Sequence, residues 1–91
     1  MYVILMYDIC QEGRGQYIQR NVFKTCKKYL YHVQLSVFEG EITKANYQKL
    51  LIELKKYIRN IDSVIIFKSR SEKWLDKEIL GNTKDLTDNF L

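Results

Sequence analysis

The stretch that most constrains the fold is the first eight residues, Met1 to Asp8. Tyr2 to Tyr7 form an unbroken run of six apolar or aromatic side chains, so this segment has no polar face. Such a pattern is typical of a strand buried on both sides in the middle of a sheet. The run is too short for a membrane-spanning helix, which needs about 20 apolar residues, and we do not expect a secretory signal. Asp8 ends the strand and is the first candidate for a catalytic residue.

The composition predicts one small domain. The chain has 91 residues, 46% of them apolar, and 15 basic against 11 acidic residues give a net charge of +4, a mild preference for polyanions. Cys10 and Cys26 lack metal-ligand spacing, so we expect reduced thiols and a cytoplasmic protein without a membrane partner. His32 is the only histidine, which excludes a histidine-rich metal cage within one chain.

Hydrophobic periodicity predicts alternating strands and helices after the first strand. We expect a helix over 17–31, a strand over 32–38, a turn or bulge at 39–41, a helix over 43–59 capped by Thr43, and a strand over 64–67. A short helix over 71–80 and a short strand over 86–91 complete the prediction. Phe38 falls on the polar face of its strand, where an aromatic side chain is usually covered by another element or by a partner chain.

This order predicts an α+β fold, a ferredoxin-like βαββαβ sandwich with both helices on one face of the sheet. The second strand of its hairpin is weakly marked, because only Gly40-Glu41-Ile42 is left to form it. The bare sheet face predicts a homodimer formed through that face. We expect a core over about 1–67 and an extension over 68–91 that docks on the partner chain. The predicted interface residues are Phe38, Leu86 and Phe90.

The predicted first helix carries a basic face. No acidic residue lies between Gly13 and Glu39, and cations four residues apart, such as Lys24 and Lys28, repel each other by a few tenths of a kcal/mol. A sequence that tolerates this repulsion favours a surface for phosphates, although a merely solvated helix face is the alternative. The candidate nucleic-acid-binding residues are Arg14, in a Gly-Arg-Gly loop, and Arg20, Lys24, Lys27 and Lys28.

Three segments resemble a known family. They are Tyr2 to Ile9, Val22 to Tyr29 and His32 to Glu41, and the last contains the specific run Ser36-Val37-Phe38-Glu39-Gly40. These segments are similar to the small CRISPR-associated endoribonuclease family, the smaller of the two CRISPR adaptation proteins. The chain departs from the family pattern at His32, where arginine is common, and at Leu30, where glycine often ends the helix.

The resemblance implies a ferredoxin-like homodimer in which the final strand of each chain pairs with the partner's sheet. It implies that Asp8 is the family's aspartate, and that two copies of it face each other across the two-fold axis and share a divalent ion, Mg²⁺. It also implies metal-dependent cleavage of single-stranded RNA or double-stranded DNA. The broader role is in spacer acquisition, where the protein joins two dimers of the CRISPR integrase around protospacer DNA.

Three functions stay open. We rank first a DNA-binding scaffold, whose basic helix neutralises phosphates without reading sequence. Second is a nuclease in which Asp8 and Mg²⁺ activate water. Third is a metal-independent, toxin-like ribonuclease on the same fold. For Asp8 itself the alternative is structural, with its carboxylate accepting backbone hydrogen bonds at the start of the loop.

Overall fold

The structure, a computed structural model, describes residues 1–81. Its elements are β1 (Tyr2–Asp8), α1 (Gly15–Tyr29), β2 (Tyr31–Gln34), β3 (Val37–Glu41), α2 (Lys44–Lys55), β4 (Ser63–Ser69) and a 3₁₀ turn (Glu72–Trp74). The four strands form one antiparallel sheet in the order β2-β3-β1-β4. The predicted α+β, ferredoxin-like βαββαβ architecture is confirmed, with β1 inside the sheet.

The two faces of the sheet differ in what covers them. Val3 and Leu5 on β1 are buried in one core with residues of α1 and α2, such as Val22 and Leu50. Because side chains alternate along a strand, the residues between them point to the other side. That side, which we call the open face, carries Ile4, Met6, Ile65 and Phe67; Ile4 pairs with Phe67 and Met6 with Ile65 across β1 and β4. Ile65 is 50% exposed and Phe67 is 57% exposed.

The hairpin between β2 and β3 differs from the prediction. A single strand over 32–38 followed by a turn at 39–41 is wrong, because the chain reverses at Leu35 and Ser36 and β3 runs through Gly40. Leu35 has φ 40° and lies in the left-handed region. Its carbonyl lies 2.8 Å from His32 Nε2, and the Ser36 carbonyl accepts a hydrogen bond from the Tyr7 N–H at 3.2 Å. The apolar Leu35 falls in phase with the alternation, which hid the turn.

Phe38 belongs to the core of its own chain. It is 0% exposed, and its ring centroid lies 6.1 Å from that of Tyr7 and 5.3 Å from that of Phe23. The register explains this position, since Phe38 pairs with the buried Leu5 of β1. The prediction that Phe38 lies at a dimer interface is therefore wrong. Phe38 was predicted to be covered either by another element or by a partner chain, and the structure shows that elements of its own chain cover it.

The second half of the chain follows the prediction with shifted boundaries. Thr43 caps α2 as predicted, because its hydroxyl accepts a hydrogen bond from the Asn46 N–H at 3.1 Å. The helix ends at Lys55, earlier than predicted, and β4 extends to Ser69. Within 71–80 the structure contains only the 3₁₀ turn, and Lys77 forms an ion pair with Glu39 of β3. The predicted final strand, with Leu86 and Phe90, lies outside the described residues.

In the described part of the chain, no helix is long and apolar enough to cross a bilayer.

Candidate functional site

Asp8 stands at the carboxyl end of β1, opposite Ser63 of β4, and it is exposed. By strand alternation its side chain belongs to the open face, together with Ile4 and Met6. Within residues 1–81 no three His, Cys, Asp or Glu side chains come together as a metal site. One chain thus offers an accessible carboxylate, and Mg²⁺ is commonly held by one or two carboxylates with water and phosphate oxygens. The Asp8 carboxylate therefore fits as one ligand of Mg²⁺, and a second carboxylate or a phosphate would have to supply another.

The hydrogen bonds that anchor the loop after β1 are made by Asp62, not by Asp8. The buried Asp62 carboxylate accepts hydrogen bonds from the N–H of Cys10 at 2.9 Å and from the N–H and Nε of Arg59 at 2.9 Å each. The Arg59 guanidinium in turn donates to the carbonyls of Cys10 at 2.6 Å and Glu12 at 2.8 Å. The hydrogen bonds that Arg59 donates to the Asp62 carboxylate hold the pKa of Asp62 at about 2. We call Arg59 and Asp62 the loop clamp.

The loop clamp fixes the backbone that runs from Asp8 to Arg14. Gly15 contributes to this fit, because a Cβ at that position would lie 2.3 Å from the Cys10 carbonyl oxygen. Sequence analysis missed the clamp, and the only local signal is a carboxylate three residues after an arginine, just beyond a predicted helix. The clamp therefore supports the backbone between the candidate residues Asp8 and Arg14.

The predicted cationic residues have different surroundings. Arg14 precedes α1, and its guanidinium carbon lies 4.2 Å from the centroid of the Tyr17 ring. The Lys27 ammonium lies 5.9 Å from the centroid of the Phe23 ring. Among residues 1–81, neither residue forms an ion pair, and the same is true of Arg20 and Lys24. These four side chains are therefore available to phosphates.

Lys28 differs from the other cations of α1. Its ammonium forms an ion pair with Glu53 of α2, and the Tyr29 hydroxyl donates a hydrogen bond to the same carboxylate. The hydrogen bond from Lys28 lowers the pKa of Glu53, and the same bond raises the pKa of Lys28. The expectation that no acidic residue neutralises the basic face of α1 is wrong at Lys28, because the packing of α2 on α1 brings Glu53 next to Lys28.

A groove of about 590 Å³ lies between α1 and the turn of the β2–β3 hairpin. We call it the helix–hairpin groove; the side chains that matter here are those of Gln16, Gln19, Arg20, Phe23, Lys24 and Leu35. Its wall also includes Tyr7, whose pKa is raised to about 12 by burial, so the phenol stays protonated at neutral pH. The groove and Asp8 thus lie at the same end of β1, on opposite faces of the sheet.

Comparison with known proteins identifies the family. Residues 1–77 match the family described as "CRISPR associated protein Cas2". The "CRISPR-associated endoribonuclease Cas2" of Fusobacterium nucleatum subsp. nucleatum is 52% identical over 92 aligned positions, covering 100% of this chain and 87% of the relative. A second relative, from Moorella thermoacetica and named "CRISPR-associated endoribonuclease Cas2 2", is 43% identical and covers 98% of this chain and 100% of its own length.

Solved structures agree with the sequence comparison. The crystal structure of Streptococcus pyogenes Cas2 at pH 6.5 is 31% identical and superposes with a TM-score of 0.77, covering 89% of this chain and 100% of that chain. Another structure, described as that of Cas2, is 36% identical with a TM-score of 0.77 and covers 90% of this chain and 87% of that chain. This chain belongs to the CRISPR-associated Cas2 family.

Proposed function

We propose that this protein is a homodimeric, nucleic-acid-binding component of CRISPR adaptation that joins dimers of the CRISPR integrase around double-stranded DNA. The observation that carries this proposal is the row of α1-side cations, Arg14, Arg20, Lys24 and Lys27, which form no ion pairs with the described acidic residues. Such cations bind phosphates regardless of base sequence, which suits a protein that must accept any spacer.

The open face supports the homodimer. Its apolar side chains, Ile4, Met6, Ile65 and Phe67, lie side by side across β1 and β4, and the last two are half exposed. A contiguous apolar patch of this kind is typical of an interaction surface. A two-fold dimer buries it and places Asp8 of each copy, which belongs to the same face, on the interface side of its sheet. We infer that the second carboxylate needed by a metal ion is Asp8 of the second copy.

We propose metal-dependent cleavage of nucleic acid as the second activity of this dimer. When bound, Mg²⁺ acts as a Lewis acid, which lowers the pKa of a coordinated water and neutralises charge on phosphate oxygens. The residues of the chain would have separate tasks. Asp8 would hold the ion, Arg14 and Arg20 would hold the phosphodiester backbone, and the loop clamp fixes the segment between Asp8 and Arg14. The relatives' names favour RNA as the cleaved substrate, and single-stranded RNA is the first substrate to assay.

Asp8→Asn tests both activities at once, because it keeps the size of the side chain and removes the charge that recruits a cation. We expect cleavage in Mg²⁺ to fall by a factor of about 100 or more, while dimerisation, DNA affinity and spacer acquisition persist. Glu12→Gln is the matched control, since it neutralises a carboxylate of the same loop whose side chain has no role in the proposal. It should cleave like the parent.

Each remaining outcome rejects a named part of the proposal. Full cleavage by Asp8→Asn removes Asp8 from the active site. Loss of acquisition in a variant that is still folded, dimeric and bound to the integrase contradicts the scaffold. Cleavage that persists at full rate after Mg²⁺ is removed with a chelator favours the toxin-like ribonuclease instead.

A further inference from the structure

Leu35 is unusual in two ways at once. It is 87% exposed, and with φ 40° it occupies a backbone region that is unfavourable for any residue with a Cβ. A strained residue of this kind persists only where its surroundings hold it, and such residues concentrate at functional sites. Here the Leu35 carbonyl is held by His32 Nε2 and the next carbonyl by the Tyr7 N–H. The turn therefore presents an apolar side chain to solvent at the rim of the helix–hairpin groove.

The rest of the groove has the chemistry of a site for one nucleotide. Its volume of about 590 Å³ falls within the range of small-molecule sites, roughly 300–1,000 Å³. The wall formed by α1 contributes two cations, Arg20 and Lys24, and two amides, Gln16 and Gln19. None of residues 1–81 that line the groove is acidic. Amides can pair with the edge of a base, cations with phosphate, and apolar or aromatic side chains with the face of a base.

We propose that the helix–hairpin groove binds one unpaired nucleotide at the end of a nucleic-acid strand, with its base against Leu35 and Phe23 and its phosphates on Arg20 and Lys24. This inference rests on the proposed nucleic-acid binding and adds a subsite to it. A blunt duplex offers phosphates but no unpaired base, because its bases are stacked and paired. A duplex with a single-stranded overhang also offers a free base, so the protein should bind such an end more tightly than a blunt one.

The test compares the affinities of one fluorescent DNA duplex, either blunt or with a short single-stranded overhang, by anisotropy. The parent is expected to bind the overhang form about tenfold more tightly, since one base stacked on an aromatic ring, the role given to Phe23, is typically worth at least roughly that factor. Leu35→Gly should abolish this preference and keep the affinity for the blunt duplex. The variant should fold, because glycine adopts a positive φ without strain, and circular dichroism verifies this.

Two control variants separate the groove from the rest of the surface. Ile52→Ala removes another exposed apolar side chain, from α2 and outside the groove, and should keep the full preference for the overhang. Lys24→Gln should weaken binding of the overhang form more than binding of the blunt duplex. Arg14→Gln should weaken both equally, because Arg14 does not line the groove and its guanidinium packs on Tyr17.

The outcomes distinguish this inference from the function on which it rests. Equal affinity of the parent for both duplexes overturns the nucleotide site and leaves nucleic-acid binding intact. A preference that survives Leu35→Gly, or that Ile52→Ala abolishes equally, also overturns it. Failure of the parent to bind either duplex overturns the proposed function together with the site.

Discussion

Gly15 is the residue at which the β1–α1 loop has the least room. A Cβ there would lie 2.3 Å from the Cys10 carbonyl oxygen, a backbone atom that cannot move without shifting the loop. We expect Gly15→Ala to lower the free energy of unfolding by about 1–3 kcal/mol, the usual cost of overpacking. Gly40→Ala is the matched control, because its Cβ would meet Leu30 and Tyr31 at ordinary contact distance, 3.5 Å. Urea denaturation of both variants checks this, and equal losses would contradict it.

The loop clamp predicts a dependence of stability on pH. Hydrogen bonds from Arg59 lower the pKa of Asp62 from its ordinary 3.8 to about 2. The folded state therefore binds a proton less readily than the unfolded state, so the clamp stabilises the protein above about pH 4 and loses this contribution as the pH falls towards 2. Asp62→Asn should cost about 3 kcal/mol at pH 7, since it leaves Arg59 without its carboxylate, and less at pH 2–3.

Denaturation of the parent and of Asp62→Asn across this pH range measures the effect. Asp76→Asn serves as the control, because Asp76 is exposed and should change the free energy of unfolding by less than about 0.5 kcal/mol. A difference between the parent and Asp62→Asn that does not shrink at low pH would contradict the assignment.

Helix α1 carries both available and neutralised cations, and the two kinds can be compared directly. Lys24 forms no ion pair with the described acidic residues, whereas Lys28, one turn further along, is bound to Glu53. If Lys24 contacts a phosphate, Lys24→Gln should weaken duplex binding for every sequence and reduce the slope of log affinity against log salt by about 0.9. Lys28→Gln should change the slope less, because the ion pair already occupies that ammonium. Equal slopes for the parent and Lys24→Gln would show that this face is only solvated.

Within residues 1–81, neither α1 nor α2 covers the open face of the sheet, and the dimer prediction belongs to this face. Phe67→Lys places a charge in the centre of the open face and should shift the protein to monomer at micromolar concentration, measured by light scattering. Ile52→Lys adds the same charge to the exposed side of α2 and should leave the dimer intact. Removal of 86–91, which contain Leu86 and Phe90, should weaken the dimer. A monomeric parent would reject the dimer altogether.

The sequence alone determined the two helices and their alternation with strands, the interior position of β1, the N-cap at Thr43 and the place of Asp8 at the end of a strand. Each of these features depends on residues that are close in sequence. The signals are an unbroken apolar run, a helical period of about four residues, and a hydroxyl that accepts a hydrogen bond from the N–H three residues later. The cations of α1 were also identified from their spacing. The family segments near Asp8 and in the hairpin added the candidate function to this local information.

Only the tertiary structure decided which cations of α1 form ion pairs and which residues hold the loop after β1. Glu53 neutralises Lys28 from 25 residues away, and Asp62 binds Cys10 from 52 residues away, so no local pattern reveals either contact. The turn at Leu35 escaped detection because an exposed leucine kept the alternation of a strand, and the buried Phe38 then looked like a surface residue. Local periodicity constrains the elements, whereas the packing of α2 and β4 against the rest of the chain determines the charge and shape of the site.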